Sequence, residues 1–257
     1  MAALRAIVAY LDGELRTSEV PDYDAALNGL QLANAGRVTR VAAAVDFSAD
    51  TVAGALREGA NMLLVHHGMF WRGAHALVGR AYERLHSAIT GDLAVYGSHI
   101  PLDLHPVFGN NVLLAKELGL DSRETFGRYR GVEIGVQGAS DLSTQALVER
   151  IRAFSARFNT TAVSTPFSDG RRTRRWAIIT GAGASADSLA EARERDVDTF
   201  IVGEGAHHTA VEAIEYGLVV VYAGHYATET LGVRAVAAEL SQRFDVSSVF
   251  VNMPTGL

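Results

Sequence analysis

Cysteine is absent from all 257 residues. That excludes a disulfide framework, a thiolate zinc site, an iron–sulfur cluster and a cysteine nucleophile. Any metal must be held by His, Asp, Glu or backbone oxygen, a donor set suited to Mn, Fe, Zn, Ni or Mg rather than Cu(I). Lysine is nearly absent as well: Lys116 is the only one among the 23 basic residues. That Arg and Ala bias reads as genome composition. Positive charge is in deficit, with a net charge of −6 and a pI of about 5.8, which disfavours a nucleic-acid coat or a membrane-surface binder. No apolar run approaches the ~20 residues that cross a bilayer. The apolar stretch 6–11 is followed at once by Asp12 and Glu14 and lacks the long core and cleavage site of a signal peptide. The expected compartment is therefore the cytoplasm. Neither Gly-x-x-x-x-Gly-Lys nor Gly-x-Ser-x-Gly occurs, which removes a P-loop and a serine nucleophile elbow.

What remains is an ordinary globular composition, 48% hydrophobic and 20% charged. The length allows one large domain or two small ones. Apolar strand patterns alternate with helical ones. The first half reads as a helix over 3–15, strands over 38–45, 61–65 and 93–96, and helices over 48–58, 80–90 and 110–118, with a loop at 97–106. The polar stretch 121–130 reads as a linker. The second half repeats the theme, with strands over 131–136, 160–164, 174–179, 199–202, 218–222 and 246–251. Its helices fall over 143–158, 186–195, 208–216 and 227–244. Strands separated by helices of this length imply βα crossovers and largely parallel sheets. The expected organisation is a first domain over 1–125, to which a C-terminal segment of about 223–257 returns, and a second over 131–222. Both halves end strands at paired His or Gly-Glu, a weak twofold similarity consistent with duplication.

The nine histidines are clustered. His66-His67, His99 and His105 with Asp103 between them, and His225 with Glu229 all fall at expected strand ends, where open α/β sheets bind ligands. Adjacent residues of an extended chain point to opposite sides, so His66 and His67 suit two metals side by side better than one. His225 and Glu229 lie four apart, one helical turn, and reach the same place. A carboxylate such as Asp103 or Glu229 can bridge two cations. His66, His67, Asp103, His225 and Glu229 thus form the leading metal set. His99, His105, His207 and His208 are candidates for supporting or acid–base roles, whereas His75 and His86 read as structural.

Gly181-Ala182-Gly183 follows a strand and precedes a helix. It has the spacing of a dinucleotide fingerprint only if Ala replaces the third Gly, with Asp198 or Glu204 as the acidic partner. A tight strand-to-helix turn is the simpler reading. The run Arg171-Arg172-Thr173-Arg174-Arg175 reads as a solvated hairpin or loop, with an anion or nucleic-acid contact as the alternative.

Taken in order, Asn28-Gly29-Leu30-Gln31, Val65-His66-His67-Gly68-Met69-Phe70-Trp71, Ser98-His99-Ile100-Pro101-Leu102-Asp103-Leu104-His105, Gly109-Asn110-Asn111, Gly203-Glu204 and Gly224-His225-Tyr226-Ala227-Thr228-Glu229 resemble the Nif-three-like dinuclear metal-centre family. Many of its members are labelled GTP cyclohydrolase 1 type 2 homologues. The resemblance spans nearly the whole chain. It implies an α/β fold of two related three-layer domains with the metals in the cleft between them, and a toroidal homohexamer. It puts the family's metal ligands on His66, His67, Asp103, His225 and Glu229, all intact here. It implies two divalent ions per chain, of Fe, Mn, Zn or Ni. Position 226 is Tyr where some members carry a second His, a departure from the pattern; Tyr226 can still donate a hydrogen bond to a metal-bound oxygen.

Two readings lead, and a third, a nucleic-acid-processing enzyme with the same metals, is opposed by the acidic charge unless the run Arg171–Arg175 lines a ring opening. The first is a metal-dependent hydrolase that uses a metal-bound hydroxide on a nucleotide-like or other small substrate, GTP if the family label holds, with His99 or a neighbouring His carrying protons. The second is a non-enzymatic metal protein, a carrier, insertion factor or regulatory scaffold. Five protein ligands for two cations leave coordination positions open, which favours the hydrolase.

Overall fold

The computed structural model describes residues 1–71 and 73–257. The chain is a mixed α/β protein that divides into two units. One comprises residues 1–102 and 232–253, the other 103–231 and 254–257. No helix among the described residues is long and apolar enough to cross a membrane.

The first unit is built on a five-stranded sheet in the order Ser247–Phe250, Arg40–Asp46, Met62–His67, Ala94–Gly97, Gly29–Leu32. Its first three junctions are parallel and the last is antiparallel. The central strands are unbroken Val, Ala, Leu and Met because both faces are covered: Val41 to Val45 and Met62 to Val65 are each at most 1% exposed. Helix Ala49–Arg57 starts at Ser48 because two hydroxyls satisfy two orphan amides. The Ser48 side chain accepts the Thr51 N–H at 3.1 Å, and the Thr51 hydroxyl accepts the Ser48 N–H at 2.9 Å. From there Val52 and Ala55 pack into a core with Ala42, Ala44, Leu63 and Val65.

The second unit holds a six-stranded sheet in the order Glu124–Tyr129, Val132–Ser143, Arg172–Ile179, Thr199–Val202, Val219–Tyr222, Val163–Ser164. The three strands from Arg172–Ile179 to Val219–Tyr222 run parallel. Every other junction among the described strands is antiparallel. Helices Ala186–Glu194 and His207–Glu215 bring Leu189, Ala192 and Ala213 onto Phe126, Ala177, Phe200 and Val220. Helix Thr144–Ala156 buries Leu147, Val148, Ile151 and Phe154. The buried hydroxyls of Thr144, Thr173 and Thr199 satisfy one another at 3.0 and 2.9 Å.

Several expectations are corrected. The stretch 121–130 is no linker, since it contains the strand Glu124–Tyr129. Its polarity is that of an edge strand with one solvated face. The strand expected over 131–136 extends as Val132–Ser143, because pairing with Arg172–Ile179 continues past the apolar residues. The second sheet is mixed rather than largely parallel. The loop 97–106 includes the short helix Ile100–Asp103. The last helix starts at His225 rather than 227.

Candidate metal centre

In the first unit the site is assembled at the ends of parallel strands. His66 and His67 close Met62–His67, and His99 comes just after Ala94–Gly97. Period-two alternation would send the rings of His66 and His67 apart. Instead their centroids are 4.9 Å apart, and His99 lies 4.9 Å from His66. One ligand nitrogen from each of His66, His67 and His99 falls within 4.8 Å of the others. His66 is 1% and His99 8% exposed, so the group is drawn together inside the fold.

Each ring is fixed by its other nitrogen. His66 Nδ1 lies 2.9 Å from the Ser98 carbonyl, His67 Nδ1 2.9 Å from Asp46 Oδ1, and His99 Nδ1 2.8 Å from Asp22 Oδ1. A carbonyl or an ionised carboxylate only accepts, so each Nδ1 carries the hydrogen, and Nε2 is the nitrogen left for a metal. This brace is the usual one for metal-ligating imidazole. Asp22 is itself well held. Burial pushes its carboxyl up, but the bonds from His99, Asn28 and the Tyr23 amide bring it below the ordinary range. Two aromatic rings wall the group: Trp71 lies 4.8 Å from His67 and 4.3 Å from His99, and Tyr23 stacks on His99 at 5.6 Å.

The second unit has a candidate group of its own. His225 and Glu229 sit in the first turns of His225–Phe244, with His225 Nε2 3.0 Å from Glu229 Oε2. His225 Nδ1 is 2.8 Å from Glu204 Oε1, the same brace again. Burial opposes charge on His225, yet Glu229 and Glu204 lift its pKa to about 9. A cation held there would compete with a proton for the His225 ring. Asp103 Oδ1 accepts from Asn110 Nδ2 at 2.8 Å and from the Thr180 hydroxyl at 3.4 Å. Asn111 ties that arrangement to the sheet, donating to the Asp103 carbonyl at 3.1 Å and accepting the Thr180 N–H at 2.8 Å.

The glycine turn serves the same place. Gly181 has φ +63°, and a Cβ there would lie 2.1 Å from Glu229 Oε1. Both facts demand glycine. The turn is fastened by Gly181 N–H donating to Thr228 Oγ1 at 3.0 Å and Glu204 N–H donating to the Gly181 carbonyl at 2.8 Å. The tight-turn reading holds, and Glu204 braces His225 instead of partnering a nucleotide turn.

The other sequence candidates have these surroundings. His105 is buried, but its Nδ1 accepts from the amides of Val107 and Phe108 at 3.2 and 2.9 Å and its ring stacks on Phe108, which is loop structure. His207 and His208 are exposed at the start of their helix. Tyr226 is buried, its ring edge-on to Phe158. The arginine run is largely strand: Arg171 donates to the carbonyls of Asp198 and Gly217, Arg172 pairs with Asp141, and Arg175 donates to the Arg195 carbonyl. Sequence reasoning missed Asp22, Asp46, Asn110, Tyr23 and the bracing role of Glu204.

The donor set fits divalent first-row cations: imidazole Nε2 atoms and buried carboxylates, each oriented, with no thiolate. An α/β protein with imidazole and carboxylate groups at strand and helix ends is the class that fold and site define. The family model of Duf34/NIF3 (NGG1p interacting factor 3) matches residues 2–255. A GTP cyclohydrolase 1 type 2 homolog from Deinococcus radiodurans is 40% identical over 254 residues, covering 98% of this chain and 93% of that one. The solved structure of protein ybgI shares the fold with a TM-score of 0.89 and 30% identity, covering 100% of both chains. TTHA1606 from Thermus thermophilus aligns with a TM-score of 0.85 and 35% identity over 99% of this chain and 100% of that one. The chain belongs to the Duf34/NIF3 family.

Proposed function

We propose that this protein is a metal-dependent hydrolase in which His66, His67, Asp103, His225 and Glu229 hold two divalent cations of Fe, Mn, Zn or Ni. One observation carries the proposal. His66, His67 and His225 each commit Nδ1 to an acceptor-only partner, which leaves Nε2 as the ligand atom. When bound, paired cations lower the pKa of water toward neutrality and stabilise developing negative charge. The chain's own part is positioning. Asp46, Glu204 and the Ser98 carbonyl hold the imidazoles, while Asn110 and Thr180 hold Asp103. His99, steadied by Asp22, carries protons to or from the substrate. The substrate class is a nucleotide-like or other small molecule. Relatives carry the name GTP cyclohydrolase 1 type 2 homolog, and GTP is the first compound to try. The expected assembly, a toroidal hexamer, belongs to the same proposal.

The test is elemental analysis of tag-free protein, followed by turnover of GTP and phosphate esters after metal addition. The expected result is close to two metals per chain, falling in His66→Ala and Glu229→Ala while both stay folded, with turnover lost in parallel. Tyr226→Phe should keep its metal, and a drop in turnover would give that hydroxyl a part in the reaction. Unchanged metal content in both ligand variants would sink the assignment. Full metal with no turnover on any substrate would favour the carrier or scaffold reading.

A further inference from the structure

The strand Gly29–Leu32 pairs with Ala94–Gly97 in two registers. Gly29 faces Gly97 and Leu30 faces Tyr96, but Leu32 faces Val95, so Gln31 is skipped. One extra residue in one strand is a β-bulge, which bends the strand and re-aims a side chain. The neighbours record the change. Leu30 lines a groove with helix Leu4–Glu14, whereas Leu32 packs on the core of Ala42, Leu63 and Val65. Unbroken alternation would put both leucines on one face. The bulge divides them and turns Gln31 onto the two neighbouring strand ends. Its carboxamide is used there at both ends. Oε1 accepts the Met69 N–H at 2.6 Å, and Nε2 donates to the Leu27 carbonyl. The group packs against Gly68 and Gly97, where a Cβ at either residue would collide with Nε2. Neither glycine has a left-handed backbone, so close approach is what calls for glycine at both.

Two segments are joined by this one side chain. Met69 stands two residues past His67 and two before Trp71. Leu27 belongs to the segment that carries Asp22, Tyr23 and Asn28. In that segment Asp22 braces His99. Asn28 holds both of them, donating to Asp22 Oδ2 at 2.8 Å and accepting the His99 N–H at 2.8 Å. The segment from 15 to 28 contains no helix or strand, so no ladder sets its distance from the turn at Gly68. The His67 and His99 rings lie 5.7 Å apart, one beside each segment. All of these residues belong to the first unit.

We propose that Gln31 is a positioning residue for the imidazole group. It acts on His67 through Gly68 and Met69, and on the His99 brace through Leu27, and so sets the two rings relative to each other. The consequence for cation binding rests on the metal-dependent reading of His66 and His67 given above. The bulge is what makes the role possible, because a residue kept in the ladder would not reach both segments. An apolar side chain of equal length would fill the space and leave the Met69 amide and the Leu27 carbonyl without this partner.

The experiment compares Gln31→Met, Gln31→Glu and Asn34→Ala with wild type, each as the full chain. Gln31→Met keeps the length and removes both bonds. Asn34→Ala is the structural control: it removes bonds to the Arg37 and Asn61 carbonyls at 3.0 and 2.8 Å, at the opposite end of Met62–His67 from the histidines. In metal-free protein, hydrogen exchange is followed by NMR at the Met69 amide and at His67 Nδ1–H. With zinc added, affinity is measured by competition with a chelator. Gln31→Met should speed exchange of both protons by at least about 10-fold and weaken zinc binding by about 10-fold. Asn34→Ala should leave both readouts at wild type. Gln31→Glu keeps the acceptor and loses the donor. It should leave Met69 protected and release only the Leu27 end, read as faster exchange of the His99 amide. The proposal is overturned if both protons stay protected in a folded Gln31→Met, or if Asn34→Ala matches its losses. A His99 amide unchanged in Gln31→Glu overturns it too, and that variant decides the matter if Gln31→Met does not fold. A wild type that takes up no metal would sink the proposed function, while exchange in the metal-free protein would still decide the role of Gln31.

Discussion

The two units repeat one plan and use it differently. Each has a strand, a nine-residue helix, a second strand parallel to the first, another helix, and a third parallel strand. Each then places an antiparallel strand beyond the third, Gly29–Leu32 in one and Val163–Ser164 in the other. Even the start of the first helix agrees: Ser48 with Thr51, and Ser185 with Ser188, are capping boxes made of two hydroxyls. The difference lies in the residues at and just beyond the strand ends. The first unit ends its strands in imidazoles and spends its carboxylates, Asp22 and Asp46, as braces. The second offers carboxylates, Asp103 and Glu229, beside a single braced histidine. The shared scaffold sets where side chains emerge, and the chemistry is decided by two or three residues past each strand end.

The comparison breaks hardest at Gly181, for which the first unit has no equivalent. Gly181→Ala forces a left-handed residue to accept a side chain and pushes it into Glu229. It should cost at least about 1 kcal/mol and, on the proposed function, lower the metal content, read by denaturant midpoint and by elemental analysis. A sharper test uses the braces. Asp46→Asn and Glu204→Gln remove equivalent partners of His67 and His225, so each should weaken metal affinity by about 10- to 100-fold in competition with a chelator. An effect at only one of them would show that the two braces are not equivalent. The caps come next: Ser48→Ala and Ser185→Ala should each lose about 1 kcal/mol, measured by thermal melting, and the two losses should match. The smallest effect belongs to the outer edge of the second sheet. There the Thr125 hydroxyl and then Arg195 hold the Glu133 carboxyl below its ordinary range. Its contribution is present above the unfolded pKa and lost as pH falls through the lower folded value. For so exposed a group it is about 0.5 kcal/mol or less. The drop in midpoint between pH 5 and pH 3 should be slightly smaller in Glu133→Gln than in wild type.

Strand–helix alternation and the histidine clusters are legible in the sequence because both are local. Val41 to Val45 and Met62 to Val65 announce doubly covered strands by composition alone. The stretch 121–130 misleads because an edge strand such as Glu124–Tyr129 needs apolar residues on one face only, and Gly127 and Arg128 interrupt even that. Gly29–Leu32 is hard to see because four residues carry too little pattern. The rings of His66 and His67 converge where alternation separates them, since each ring turns to meet its own brace. The braces are hidden for a different reason. Asp22 is 77 residues from His99, on a segment without regular structure, and nothing local links them. Asp46 and Glu204 do leave a trace. Each stands 21 residues before the imidazole it holds, the length of one crossover between parallel neighbours. A carboxylate at one strand end and a histidine one crossover later is a spacing that can be searched for.

The strand Ser247–Phe250 is the outer neighbour of Arg40–Asp46, with Ser247 paired to Arg40. This reverses the order in which a growing chain would finish its parts. At ordinary rates of synthesis, roughly 10 to 40 s pass between the two strands. Throughout that time Arg40–Asp46 has one flank with no neighbour, while residues 103–231 can complete their own sheet. The unit made first therefore closes last. For that interval the nascent protein carries an open strand flank of the kind on which neighbouring chains aggregate. A ribosome stalled in the final helix would harm the beginning of the protein more than its middle.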